Sequence, residues 1–153
     1  MKRSVGLLHL AGIALILLVI LAATARGEGA SGDLRLASGW IRALPLALPS
    51  AGYFTLENGT RADLVLVGAQ SPACGHLSLH KSELTGGICR MRDAAEVDVP
   101  ALGTLVFAPQ SYHLMCEQAR PVLKPGAVVP VTLIFRGGRK LIADFSVRNA
   151  AGR

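Results

Sequence analysis

Residues Val128–Arg148 read VVPVTLIFRGGRKLIADFSVR. Two apolar runs, Val128–Arg136 and Leu141–Arg148, flank Gly137-Gly138, a pair that turns a chain tightly enough to make a hairpin. The same construction recurs upstream. Leu34–Ala43 holds Trp40 and Ile41 before Pro45 and Pro49 interrupt it. Gly52–Glu57 is rich in residues that favour strands and ends at Asn58-Gly59, a turn signal. Asp63–Ala69 stops at Ser71-Pro72, and Leu77–His80 alternates apolar with polar. Gly86-Gly87 then turns the chain into Ile88–Met91. Val97–Val99, Thr104–Phe107 and Tyr112–Cys116 complete the set. No stretch past the first 25 residues sustains a 3.6-residue apolar period beyond about two turns. Many short strands with Pro or Gly between them predict an all-β antiparallel sandwich or barrel.

The first residues have a different character. Lys2 and Arg3 precede Leu7–Ala23, an apolar run broken only by His9 and Gly12, and Ala23-Thr24-Ala25 follows. This pattern predicts a secretory signal peptide over 1–25, removed near Ala25, with an uncleaved membrane anchor as the rival reading. Either way the remainder is exported, and a periplasmic location is expected. No cysteine precedes Cys74, so lipid attachment at a cysteine just after the apolar run is not expected. The expected organisation is a signal peptide (1–25), a Gly-rich linker (26–33), one β-domain (34–148) and a short tail (149–153). About 125 residues suffice for one such core.

Charge narrows the partners. The chain has 16 basic and 10 acidic residues, and beyond residue 25 the only local basic cluster is Arg136, Arg139 and Lys140. A nucleic-acid surface would need a basic stripe with interleaved aromatics. The scattered charge reads instead as solubility and weak attraction to anionic surfaces.

Histidines and methionines are scarce beyond the signal segment: His76, His80 and His113, with Met91 and Met115. In His113-Leu114-Met115 a strand would put both ends on one face, their Cα atoms about 6.5 Å apart. His80 and Met91 flank the Gly86-Gly87 turn, and a fold-back there could bring both toward the same edge. Thioethers are neutral and soft, and they favour copper(I) over zinc, magnesium or calcium; imidazole adds affinity. His76 would lie about 13 Å from His80 on a strand and reads as a surface residue. Three cysteines allow three pairings and leave one thiol over. Cys116 follows Met115 and so faces away from it, while Cys74 precedes the strand bearing His80; a Cys74–Cys116 disulfide is expected. Cys89 shares a face with Met91 in a regular strand. It reads as a small buried residue, with an accessory thiolate near copper as the alternative.

The spacing His80-x10-Met91-x21-His113-x-Met115 resembles the pattern of the periplasmic copper chaperones called PCuAC. Trp40-Ile41-Arg42-Ala43, Ala51-Gly52-Tyr53-Phe54, Pro109-x-x-Tyr112-His113-Leu114-Met115 and Leu123-Lys124-Pro125-Gly126 look like that family's landmarks. The resemblance runs from about Leu36 to Val147. It implies a cupredoxin-like Greek-key β-sandwich with an accessible copper(I) site of His80, Met91, His113 and Met115. It also implies delivery of copper to the binuclear centre of a haem-copper oxidase, alongside a Sco-type thioredoxin-fold protein. A monomer is expected. Three departures stand out. Glu83, Ile88 and Cys89 occupy a segment where that family often has extra methionines. Pro109-Gln110-Ser111 replaces its Pro-Gly-Gly, and the Asn149–Arg153 tail holds no His or Met for a second copper site.

Other functions fit less well. Sequestration of copper without delivery would use the same residues. Thiol–disulfide exchange would need a C-x-x-C motif or a low-pKa thiol, and neither is evident. Seven aromatics give little material for a sugar-binding face. No nucleophile elbow or His-orienting acid suggests hydrolysis, so a non-enzyme is expected. A blue-copper centre would need a His2Cys set in Cys–His–Met order, which Cys89 does not supply.

Overall fold

The computed structural model describes residues 34–45 and 48–153; the expected signal peptide and linker lie outside the described residues. Among the described residues ten strands follow one another: β1 (Leu34–Arg42), β2 (Ser50–Asn58), β3 (Leu64–Gln70), β4 (His76–Thr85), β5 (Ile88–Asp93), β6 (Val97–Val99), β7 (Thr104–Phe107), β8 (Tyr112–Glu117), β9 (Val128–Phe135) and β10 (Lys140–Arg148). Each apolar run of the sequence became a strand, with bounds shifted by a few residues at most.

The strands form one sheet in the order β5-β4-β8-β2-β1-β10-β9-β3-β6, with β7 paired to β2. The sheet curls so that β3 packs beside β4 without backbone pairing to it. This is the expected all-β, cupredoxin-like sandwich. It is not wholly antiparallel, because β1 runs parallel to β10 through Trp40↔Ser146 and Ile41↔Val147. Strand β2 changes partner along its length: Ser50–Gly52 pair with β8, and Phe54–Glu57 pair with β7.

The two Gly-Gly pairs turn hairpins. Gly86 (φ 60°) and Gly87 (φ 81°) separate the paired Thr85 and Ile88, as a two-residue turn with positive φ at both centres requires. Gly137 and Gly138 do the same work between β9 and β10 within a 3-10 turn. Asn58-Gly59 behaves differently, since β2 and β3 do not pair. The Asn58 side chain is buried, donating to the carbonyls of Ala62 (3.0 Å) and Pro100 (3.0 Å) and accepting from Thr60. It ties the β2–β3 crossing to the β6–β7 connection.

The core is built from the inward faces of both halves of the sheet. Phe54 stacks on Phe107 at 4.2 Å and meets Phe145 edge-on at 6.0 Å. Ile41, Leu66, Leu114, Val131 and Leu133 are fully buried around them. Gly39 makes room for this cluster, because a Cβ there would fall 2.9 Å from the Phe145 ring. The disulfide Cys74–Cys116 forms as expected and ties the segment before β4 to the buried inner face of β8.

Candidate metal centre

Strands β4 and β8 pair antiparallel with His80 opposite His113 and Ser78 opposite Met115. Leu77 and Leu79 of β4 point into the core, as do Leu114 and Cys116 of β8. Alternation therefore places Ser78, His80, His113 and Met115 together on the other face. That face is not fully open to solvent. His113 is 4% exposed and Met115 8%, while the His80 side chain is 18% exposed.

The two imidazole rings lie with centroids 5.8 Å apart. Two imidazoles on one ion, each with a metal–nitrogen bond of about 2.0 Å, place their centroids roughly 6 Å apart. Hydrogen bonding sorts the ring nitrogens. His113 Nδ1 lies 3.1 Å from the Ser111 carbonyl oxygen. A carbonyl only accepts, so Nδ1 holds the proton and Nε2 presents a lone pair. His80 Nε2 lies 2.9 Å from Ser78 Oγ and 3.2 Å from Asp93 Oδ1. The remaining nitrogens, His80 Nδ1 and His113 Nε2, are buried and have no hydrogen-bond partner. Each such orphan costs about 1–3 kcal/mol unless a ligand meets it. A metal ion would satisfy such nitrogens, and an outward-facing N–H held by a carboxylate or carbonyl is the usual support of a metal-bound histidine.

Met115 stands beside this pair, two residues from His113 on the same strand and face. Met91 is placed differently. The Gly86-Gly87 hairpin does fold back, but Met91 pairs with Ser82 rather than His80, and it is 60% exposed. It shares the face of His80 yet lies four residues along and two strands across from Met115. On a flat sheet their Cα atoms would be roughly 16 Å apart, beyond what two thioethers and one ion span. His80, His113 and Met115 thus form a compact group, and Met91 waits at its open rim on the edge strand. His76 is exposed at the start of β4, well away from the group.

Cys89 corrects an expectation. The sequence predicts a small buried residue there, but Cys89 is the free thiol and it is exposed. Cysteine's usual preference for the interior does not operate here, because all six residues of β5 are exposed. It does share the face of Met91, two residues away, as alternation requires. Arg90 and Arg92 lie exposed on the opposite face, with Arg92 Nε 3.5 Å from Glu83. At the far end of the sheet, Arg136 of the basic turn pairs with Glu96, which raises the pKa of its guanidinium.

The turn that presents His113 also departs from a glycine-rich design. Ser111 N–H donates to the Ala108 carbonyl, and Gln110 between them adopts φ 64°. A side chain in this left-handed region costs about 1 kcal/mol. Gln110→Gly is expected to raise unfolding stability by about that amount in urea. An unchanged or lower midpoint at constant m-value would show that the left-handed turn is not retained in solution.

Sequence reasoning did not find Ser78 and Asp93 as partners of His80. Ser78 is two residues from His80 and was available to a strand reading; Asp93 needed the β4–β5 register. Among the described residues, no group of three or more His, Cys, Asp or Glu side chains is arranged to hold a metal ion. The group found here depends on a thioether.

Comparison with known proteins adds three findings. A family model described as "Putative lipoprotein LpqE-like" matches residues 34–147. "Putative lipoprotein Lxx21020" of Leifsonia xyli subsp. xyli is 28% identical over 160 residues, covering 99% of this chain and 96% of that protein. Among solved structures, copper(I)-bound DR1885 from Deinococcus radiodurans superposes with a TM-score of 0.64 and 27% identity, over 82% of this chain and 85% of that one. The copper-bound PCuAC domain of PmoF2 superposes with a TM-score of 0.63 over 78% of this chain and 96% of that domain. At 18% identity that second likeness speaks for the fold alone.

Proposed function

The chain belongs to the LpqE-like family, and on that basis we propose that it is an extracytoplasmic copper(I) carrier, with no catalytic step of its own. The observation that carries this reading is the pair of buried, unpartnered nitrogens on His80 and His113, with Met115 beside them. Two neutral imidazoles and a thioether suit copper(I) better than harder ions. The likeness to copper(I)-bound DR1885 supports the same choice of metal. Met91 completes the set as a fourth ligand once the exposed β4–β5 hairpin bends toward the group, closing the roughly 16 Å between its Cα and that of Met115 on a flat sheet. A carrier needs an ion held near the surface by ligands that leave one at a time, and the rim position of Met91 suits it to be first on and first off.

Export is supported by the Cys74–Cys116 disulfide, which persists in oxidising compartments, and by the signal-like pattern of residues 1–25. For the acceptor, the resemblance in ligand spacing points to a haem-copper oxidase subunit or a Sco-type protein. Sequestration for copper tolerance uses the same residues; unchanged oxidase activity in a deletion strain at limiting copper would favour it.

Anaerobic copper(I) titration against a chromophoric chelator tests the binding. One equivalent is expected, with Met115→Leu weakening it more than Met91→Leu because Met115 is buried on the face of the histidines while Met91 is exposed on the edge strand. Wild-type affinity in the Met91→Leu/Met115→Leu protein would overturn the assignment. Running the series in a Cys89→Ser background separates any contribution of the exposed thiol.

A further inference from the structure

His80 is held by two groups of different chemistry, and only one of them dictates the state of its ring. The Ser78 hydroxyl can accept a proton from Nε2 or donate one to it. It is therefore compatible with either neutral tautomer. The Asp93 carboxylate only accepts, and at 3.2 Å from Nε2 it would repel a lone pair there. With Asp93 present, Nε2 must hold the proton, and the buried, unpartnered Nδ1 becomes the lone-pair donor.

We propose that Asp93 is a positioning residue that selects the Nε2–H tautomer of His80 and so aims the Nδ1 lone pair into the site. Its importance for metal binding rests on the copper(I) reading above; its effect on the ring does not. Asp93 comes from β5, directly opposite His80 in the β4–β5 register. The same edge strand bears Met91, two residues away on the same face. The hairpin thus supplies both a ligand and the group that prepares another ligand. His113 needs no such residue, because the Ser111 carbonyl of its own turn does this for its ring.

The arrangement yields opposite expectations for two neighbouring substitutions. In Asp93→Ala, the Ser78 hydroxyl is free to donate to Nε2. The Nδ1–H tautomer then becomes populated beside the Nε2–H form, and in it the proton blocks the metal-facing position. In Ser78→Ala the carboxylate remains and the tautomer is kept. The Asp93 side chain is 90% exposed, so its removal leaves no cavity and folding is not at issue.

The test is long-range imidazole 15N NMR of the metal-free protein above neutral pH, paired with copper(I) competition. The wild type and Ser78→Ala are expected to show His80 with Nε2 protonated, and Asp93→Ala to show a mixture with a clearly raised Nδ1–H share. Copper(I) affinity in Asp93→Ala is expected to fall roughly 10–100-fold, the usual effect of losing an outer partner of a metal-bound histidine. A wild-type ring already protonated at Nδ1, or an Asp93→Ala ring unchanged from wild type, would overturn the proposal. Should the wild type bind no copper(I), the metal reading falls, while the tautomer spectra still decide what Asp93 does.

Discussion

Replacing His80 and His113 together by leucine is expected to abolish tight copper(I) binding while leaving the fold intact. Leucine roughly matches the imidazole in volume, so the packing around Met115 survives. Both orphaned nitrogens, His80 Nδ1 and His113 Nε2, disappear with the rings. The loss should exceed the roughly 100-fold attached to outer partners of metal ligands, which corresponds to about 2.7 kcal/mol, since here the ligands themselves are removed. A second consequence separates a binding site from a structural pair. Removing two unsatisfied buried nitrogens relieves a desolvation penalty of about 1–3 kcal/mol each, offset in part by the lost His113–Ser111 bond and the lost contacts of His80 with Ser78 and Asp93. The metal-free double variant should therefore be no less stable than the metal-free wild type. Chelator competition and urea unfolding read the two effects separately. A double variant that keeps copper(I) at wild-type strength would show that the ion sits elsewhere, with the exposed Cys89 the first alternative to examine.

The disulfide carries the second large effect. Cys74 and Cys116 are 42 residues apart in sequence, and closing a loop of that length restricts the unfolded chain by about 4 kcal/mol on the chain-entropy account. Cys74→Ala/Cys116→Ala is expected to lose about that much in urea unfolding, a large part of the 5–15 kcal/mol typical of a domain. The site should persist in whatever fraction remains folded, because the β4–β8 ladder from His76↔Glu117 to Lys81↔Tyr112 holds His80 against His113 independently. Copper(I) affinity measured well below the unfolding transition should change only a few-fold. A stability loss below about 1 kcal/mol would mean that the reduced, unfolded chain is already restricted around these residues.

Much of this protein is legible in its residue order. The strands can be read because Pro, Gly and Asn punctuate short apolar runs, and each such run can bury a face only within a sheet. The hairpin turns can be read because adjacent glycines at 86–87 and 137–138 admit positive φ where other residues resist it. The shared face of His113 and Met115 follows from the two-residue period of any strand. The Cys74–Cys116 pairing is legible for a related reason: Cys116 had to face the side away from Met115.

Register, strand order and edge exposure are a different matter. Nothing local makes β1 lie parallel to β10, since that pairing joins segments about a hundred residues apart and depends on how the intervening strands fill the sheet. His113 and Met115 are buried although they lie on the face opposite Leu114 and Cys116, which the alternation of one strand does not foretell. The exposure of Cys89 and Met91 arises because β5 ends the sheet and, among the described residues, nothing lies beyond it. Asp93 reaches His80 only through the β4–β5 register. Composition and spacing, which act over a few residues, determined the ligand types and the strands bearing them. The tertiary structure decided which ligands meet, because meeting depends on register and on what packs over each face.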